Sequence, residues 1–484
     1  MFELAVLHHQ AGRLAEAEAI YRDILGRDPD HLPTLVEYGR LALQLGRPEV
    51  AVVVLQRAAA LAPDHPIVAT NLGVAQEFGG HLDQAMVTQR RNIARHPGDG
   101  ASFNNLGNVL RTLQRLPEAI RQYRHAIAVN PADGQLINNL GGALHQERRD
   151  AEAVAAFRAS LARQEDAEVR HNLALALLSQ GRLAEAWPEY EARSRTAQHA
   201  ASWPQFPQAT RWQGEDGTGR TLLIHAEQGM GDVLQFSRYV PLAVARGCRV
   251  VLQVHRPLLR LMRRLAGVAD IVAQGEPLPA CDLYCPLMSL PGVFGTTLEA
   301  IPAEIPYLSP YPEDVAGWAA RLGPEHRPKV GLAWAGNPQQ PTDKRRSVPV
   351  ERLAPLLART DFAFYSLQVD AAPPAGMIDL MGGVRDFADT AALIANLDLV
   401  IAVDSAVAHL AGAMGKPVWL LNRFDAEWRW LRDRDDSPWY PTLRQFRQTA
   451  PGDWDGVIAR VRAELARMGA PSSSHWPNRL GCTI

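Results

Sequence analysis

Leu399-Val-Ile-Ala-Val-Asp404-Ser405-Ala-Val-Ala-His409-Leu-Ala-Gly-Ala-Met-Gly-Lys416-Pro-Val-Trp-Leu-Leu-Asn422 is the stretch that decides how this chain folds. It reads as buried strand, polar turn, helix, buried strand. Asp404 and Ser405 fall where the first strand stops, and Ser405 stands where a side chain caps the following helix. That helix then presents its free N–H groups and positive end at the top of a parallel sheet. Ligands of open α/β sheets bind at that edge, and a diphosphate is the expected occupant. His409, one turn into the helix, reads either as facing that ligand or as filling a helix–sheet contact. Lys416 precedes a strand and reads as surface.

Working outward, the same alternation continues on both sides. Residues 329–336, 362–368, 378–381 and 418–421 are further apolar strand candidates, with helical patterns at 350–359 and 390–396 between them. Strands that alternate with helices imply a parallel sheet. A polar loop, 337–347, follows the first of these strands and holds Lys344, Arg345 and Arg346. A basic run is ordinarily solvated surface, but on the ligand edge of a sheet it reads as an anion site.

Upstream, residues 221–226 form a short apolar strand, Glu227-Gln-Gly229-Met-Gly231-Asp232 a tight loop, and 233–246 a helix. Strands at 249–254, 269–273 and 282–285 complete a second parallel unit. Gly229 and Gly231 lack the third glycine and the ribose-binding acid of a dinucleotide loop. Asp232 stands in the first turn of a helix above the sheet. It reads either as a partner of the helix dipole or as a general base facing a cleft between two lobes. The proline-rich segment 306–328, with one short helical pattern, connects the two.

The first two hundred residues repeat. Ala17, Ala51, Ala85, Ala119 and Ala153 recur every 34 residues, and Ala186 follows after 33. Four residues beyond each stands Tyr21, Leu55, Gln89, Tyr123, Phe157 or Tyr190; twelve before each stands Ala5, Gly39, Gly73, Gly107, Gly141 or Ala174. Pro29, Pro63, Pro97 and Pro131 fall twelve after the first four. Small residues let two helices approach, the bulky position fills the gap, and proline stops the second helix. One such unit cannot bury its apolar face, whereas a stack can. The spacing is that of tetratricopeptide repeats, here about six of them. Met1 falls inside the first helix of the first repeat, which is therefore short and lacks an obvious cap; an upstream truncation or a mis-set start would account for this. Asn71, Asn105, Asn139 and Asn172 recur two positions before the small residue. Stacked on the concave face, their amides would either grip an extended peptide backbone or hydrogen-bond between neighbouring repeats.

The 484 residues are 47% hydrophobic and carry a net charge of −2, so several cores can be buried and nothing suggests a nucleic-acid binder. Cys248, Cys281, Cys285 and Cys482 are too scattered for a disulfide framework, and Cys281 and Cys285 have no second pair to complete a metal site. There is no secretory pattern and no run long enough for a membrane span, so a cytoplasmic protein is expected. Residues 196–219 keep Trp203 and Trp212 among prolines and glycines, which suggests a linker packed on a neighbour.

The repeats, followed by 227–232 with Arg238-Tyr239, then by 403–410 and Ser437-Pro-Trp-Tyr-Pro441, resemble bacterial tetratricopeptide proteins with a heptosyltransferase-like region similar to glycosyltransferase family nine. The resemblance implies an α-solenoid at 1–195, a linker at 196–219, and an α/β GT-B fold of two Rossmann-like lobes, 220–312 and 326–468, before a tail at 469–484. It implies inverting, metal-independent transfer from a nucleotide-diphosphate sugar to an acceptor hydroxyl, without a cofactor. Gly231-Asp232 matches the family's Gly-Asp pair, with Asp232 as base. Lys344 is the nearest match to its phosphate-binding lysine, and Asp404, Ser405, His409 and Leu410 match its donor motif. Glu227-Gln228 departs from the basic or hydroxyl residues usual before Gly-Asp, which leaves the sugar open. Lipopolysaccharide heptosyltransferases lack the repeats, so a protein or peptide acceptor bound by the repeat array is expected. A non-catalytic scaffold with a degenerate GT-B region is the alternative, and the eukaryotic O-linked N-acetylglucosamine transferases offer an analogy of layout.

Overall fold

The computed structural model describes residues 1–200, 203–340, 342–369 and 371–468. The segment expected as a tail, 469–484, with Cys482, lies outside the described residues. The chain forms two compact units, Met1–Ala176 and Leu177–Ile484.

The first unit is helical. Its helices pack in consecutive pairs, from Phe2–Gln10 with Leu14–Arg27 through Gly134–Gln146 with Asp150–Leu161. The close approach is where the spacing put it. A Cβ on Gly39 would lie 2.6 Å from Leu55, on Gly107 2.7 Å from Tyr123, and on Gly141 2.6 Å from Phe157. Ala17, Ala51, Ala85, Ala119 and Ala153 are fully buried. Each second helix that precedes a repeat proline ends two residues before it, at Arg27, Leu61, Arg95 and Val129. Asp99 and Asp133 cap the first helices of their repeats by accepting the N–H groups of Ala101 and Gln135. The first helix has nine residues against 13 in later repeats.

The division between units falls at 176/177, earlier than the expected 195. The reason is Leu183–Tyr190, the second helix of the sixth repeat. It buries Trp187 and Tyr190, and the Trp187 indole N–H donates to the Thr296 carbonyl at 2.8 Å.

The second unit holds two parallel sheets. The first comprises β1 (Thr210–Arg211), β2 (Thr221–His225), β3 (Arg249–Val254), β4 (Val268–Ala273) and β5 (Leu283–Pro286), in the order β1-β5-β2-β3-β4. The second comprises β6 (Lys329–Ala333), β7 (Ala363–Ser366), β8 (Met377–Ile378), β9 (Leu399–Val403), β10 (Val418–Asn422) and β11 (Leu443–Arg447), in the order β11-β10-β9-β6-β7-β8. Strand order reverses between β2 and β5 and again between β6 and β9. Those are the switch points of doubly wound sheets, where a crevice opens beyond the strand ends. This is the α/β architecture of the GT-B type, following a tetratricopeptide solenoid.

Some expectations are corrected. The linker supplies β1, whose register with β5 pairs Thr210 with Leu283, and Trp212 beside it is fully buried. Strand β11 shows no alternation that a sequence reading could use: Leu443, Gln445 and Phe446 are buried, while Arg444 and Arg447 are half-buried. The helix expected at 233–246 begins earlier, as Met230–Phe236, and breaks through a tight turn at Ser237–Tyr239 before Val240–Ala245. Residues 350–359 hold only a tight turn and the short helix Ala354–Leu357. Trp454–Met468 closes the unit, burying Trp454, Ile458, Val461 and Leu465 in the core of the second sheet.

Candidate functional site

The two switch points face each other through two helices. Met230–Phe236 follows β2, Ala406–Ala413 follows β9, and the helices pack together. Gly231 permits that approach: a Cβ there would stand 3.0 Å from the His409 ring.

Asp232 has both oxygens engaged. One accepts the Gly229 N–H at 2.8 Å, closing the first helical turn. The other pairs with the guanidinium of Arg429. The helix-terminus role is therefore realised, and an ion pair absent from the sequence reading is added. Burial raises the Asp232 carboxyl above the ordinary range; Arg429 opposes this, while Asp404 and Glu227 reinforce it.

Arg429 lies in the turn Trp428–Trp430, lies over the Trp428 ring at 4.4 Å, and also pairs with Glu427. Its backbone N–H donates to Glu427 at 2.9 Å. Glu427 is raised by burial and by Asp404 and Asp232, against the pull of Arg429. One guanidinium thus stands among three carboxylates. Sequence reasoning missed this group, although an arginine between two tryptophans, 428–430, was a visible signal for a stacked cation.

Ser405 is the N-cap of its helix, and its carbonyl accepts the N–H groups of Ala408 and His409. The expected side-chain cap is not formed: the hydroxyl bonds no helix N–H and is buried without a partner. Its backbone is extended, φ −153° and ψ 167°, as is usual at an N-cap, so the missing bond lies with the side chain and not with the backbone. His409 is buried. Its Nδ1 lies 3.0 Å from the Tyr440 hydroxyl, its ring stacks on Trp430, and Nε2 lies 3.8 Å from Asp404. Burial pushes the imidazole down to about 3, against the raising effect of Asp404, so it is neutral near pH 7. It is a packing residue that also adjoins Asp404.

The basic loop is divided. Lys344 is exposed, Arg345 pairs with Asp425, and Arg346 donates to Asp343 at 3.1 Å while lying against Gly336. Arg346 is near enough to His409 to bear on its ionisation.

Two motifs quoted from the sequence meet. Arg238 is buried, donates to the Trp439 carbonyl at 2.7 Å and to the Tyr307 hydroxyl at 3.0 Å, and lies over the Tyr440 ring at 4.7 Å. Glu227-Gln228 also finds its explanation. Glu227 accepts two bonds from Arg193, at 2.9 and 2.8 Å, and the Met288 N–H at 3.0 Å. Gln228 donates to the Tyr190 hydroxyl at 3.2 Å. The pair serves the segment that ends the sixth repeat. Cys285 is buried on β5 and Cys281 half-buried ahead of it. Among the described residues no group of three or more His, Cys, Asp or Glu is arranged around a common metal position, and no helix is long and apolar enough to cross a membrane.

In the first unit, two of the four asparagines bond between neighbouring repeats. Asn139 donates to Asn104 at 2.9 Å, and Asn172 to Asn138 at 3.2 Å. Asn105 accepts from Asn104 at 3.3 Å, and the Asn71 amide nitrogen is buried without a partner.

Comparison with known proteins gives three tetratricopeptide matches, over residues 8–70, 104–168 and 167–186. Residues 373–421 match glycosyltransferase family 9 (heptosyltransferase). Protein FlbA of Caulobacter vibrioides is 31% identical over 61% of this chain, which spans about half (54%) of that relative's length. Among solved structures, MamA is similar at 23% identity and a TM-score of 0.30, over 33% of this chain and 94% of that one. A thermophilic tetratricopeptide protein of Thermus thermophilus is similar at 25% identity and a TM-score of 0.32, over 34% of this chain and 92% of its own. The matches therefore divide as the fold does: the helical repeats resemble tetratricopeptide models, and the stretch from before β8 to β10 of the second sheet resembles a segment of glycosyltransferase family 9.

Proposed function

We propose that the chain transfers a sugar from a nucleotide-diphosphate sugar to an acceptor hydroxyl, with inversion and without a metal, on a protein recruited by the repeats. The observation that carries this reading is the packing of Met230–Phe236 on Ala406–Ala413. It sets Asp232, at one switch point, across from Asp404 and the Ser405 helix terminus at the other. In this reading Asp232 takes the proton of the attacking hydroxyl. The leaving diphosphate is met by the N–H groups of the Ser405 helix and by the cations of 344–346 and Arg429. Peptide gripping by the asparagine ladder belongs to the same proposal.

The test is Asp232→Asn. Transfer, followed by intact mass of candidate protein acceptors, is expected to disappear while nucleotide binding persists; full transfer in the variant would remove Asp232 as base. Thermal-shift measurement with UDP-, GDP-, ADP- and CMP-sugars identifies the donor. Stabilisation by none of them would favour the scaffold reading, which the doubly engaged Asp232 carboxylate also suits.

A further inference from the structure

We propose that Arg429 is a positioning residue that changes partners: it holds Asp232 before a nucleotide binds and moves to the phosphate of a bound nucleotide, freeing Asp232 to accept a proton. The inference rests on the reading of the cleft as a nucleotide-sugar site and adds the device that times its base.

Three observations carry it. First, among the described arginines of the cleft, Arg429 is the one paired directly with Asp232: Arg345 is held by Asp425, Arg346 by Asp343, and Arg238 by carbonyls and the Tyr307 hydroxyl. A carboxylate locked to a guanidinium is a poor base, so this pair must open before Asp232 takes a proton. Second, the guanidinium is not saturated. It pairs with Asp232 and Glu427 through its two terminal nitrogens, while its Nε is buried without a partner. A planar fork with an idle donor matches a phosphate group. The Ser405 hydroxyl, across the helix pair, is likewise buried without a partner. Third, the guanidinium carbon lies 4.4 and 5.4 Å from the Trp428 and Phe236 ring centroids, and these apolar faces offer no hydrogen bond that a change of partner would have to break.

The charged and titratable groups around Asp232 come from every element packed on it. Glu227 lies in its own loop; Asp404 and His409 come from the β9 end and the helix after it. Glu427 and Arg429 come from the tryptophan turn, Tyr190 from the sixth repeat, and His255 from the end of β3. Once Arg429 turns away, Asp232 is left buried among Glu227, Asp404 and Glu427. Its carboxylate then gains basicity from burial and from like charge. In the full reaction the proton comes from the acceptor hydroxyl; with nucleotide alone it comes from solvent.

That difference makes the device measurable without knowing the acceptor. Titration calorimetry of the full chain uses UDP, GDP, ADP, CMP and inorganic pyrophosphate as probes, in two buffers of different ionisation enthalpy. For a probe that binds, the wild type is expected to take up about one proton per nucleotide. Arg429→Gln is expected to weaken binding by about tenfold or more and to abolish the uptake, because Asp232 is then protonated beforehand. Arg429→Lys, which keeps the charge, restores part of both. Asp232→Asn keeps binding and loses the uptake. Nucleotide binding unchanged in Arg429→Gln, or proton uptake that survives Asp232→Asn, would overturn the exchange while leaving the nucleotide site standing. A wild type that binds none of the probes would overturn the site itself, and the exchange with it.

Discussion

Replacing Glu227 by Gln should destabilise the second unit by about 3 kcal/mol and leave the repeats of the first untouched. The magnitude follows from the surroundings. The side chains of Arg193 and Glu227 are only 1% and 2% exposed, joined by two bonds of 2.8 and 2.9 Å. Removing one member of such a pair strands the other charge, at about 3–5 kcal/mol. Arg193 keeps Glu191 at 3.1 Å and Ser289 at 2.8 Å, so the lower end applies. The assay is selective by composition. All 11 tryptophans follow residue 176, so tryptophan fluorescence during urea unfolding reads only the second unit. With a slope of about 3 kcal/mol per M for a unit of this size, the midpoint should fall by about 1 M. The double variant Arg193→Met, Glu227→Met should recover to within about 1 kcal/mol of the wild type, since apolar replacement of a whole buried pair is often neutral. A Glu227→Gln midpoint equal to wild type, or a double variant no better than the single one, would refute the reasoning.

Two further outcomes are expected beside those for Asp232 and Arg429. Gly107→Ala should lower the stability of the repeats by about 1 kcal/mol in a circular-dichroism melt, because the new methyl meets a Tyr123 ring held by its 2.8 Å bond to Asn108. That overlap costs about 1–3 kcal/mol against a helix-propensity gain of about 1; an unchanged or higher midpoint would contradict it. His225→Phe should flatten the acid dependence of stability. Burial lowers His225 to about 4, so its contribution is complete above the unfolded value of about 6.5 and is lost as pH falls from there towards 4. At about pH 5.5 the wild type has lost about 1.4 kcal/mol from this residue. Urea midpoints at about pH 7.5 and 5.5 should therefore converge in the variant relative to the wild type, and equal slopes in both would exclude the buried imidazole as the cause.

Much of this protein was legible because its rules are local. Repeat spacing of 34 residues put a glycine opposite a large side chain four times, and the pairs Gly39–Leu55, Gly107–Tyr123 and Gly141–Phe157 are in place. Period and apolar runs also placed β2, β3, β9 and β10 within a residue or so. Strands β1 and β11 were illegible. A two-residue edge strand has no period, and β11 is recognised only by the neighbour it pairs with.

The site divides in the same way. From the sequence alone came the placement of Gly231-Asp232 and Asp404-Ser405 at strand ends, because a helix that follows a buried strand begins at the sheet's edge wherever the chain goes next. Only the tertiary structure decided what those residues touch. The Asp232–Arg429 pair spans 197 positions, and the Arg238–Trp439 bond spans 201. The Glu227–Arg193 pair ties the sixth repeat to the first sheet. Whether Ser405 caps, whether His409 is charged and which arginine remains unsaturated depend on burial and on partners from other elements. Those are properties of packed surfaces, and no spacing along one strand or helix encodes them.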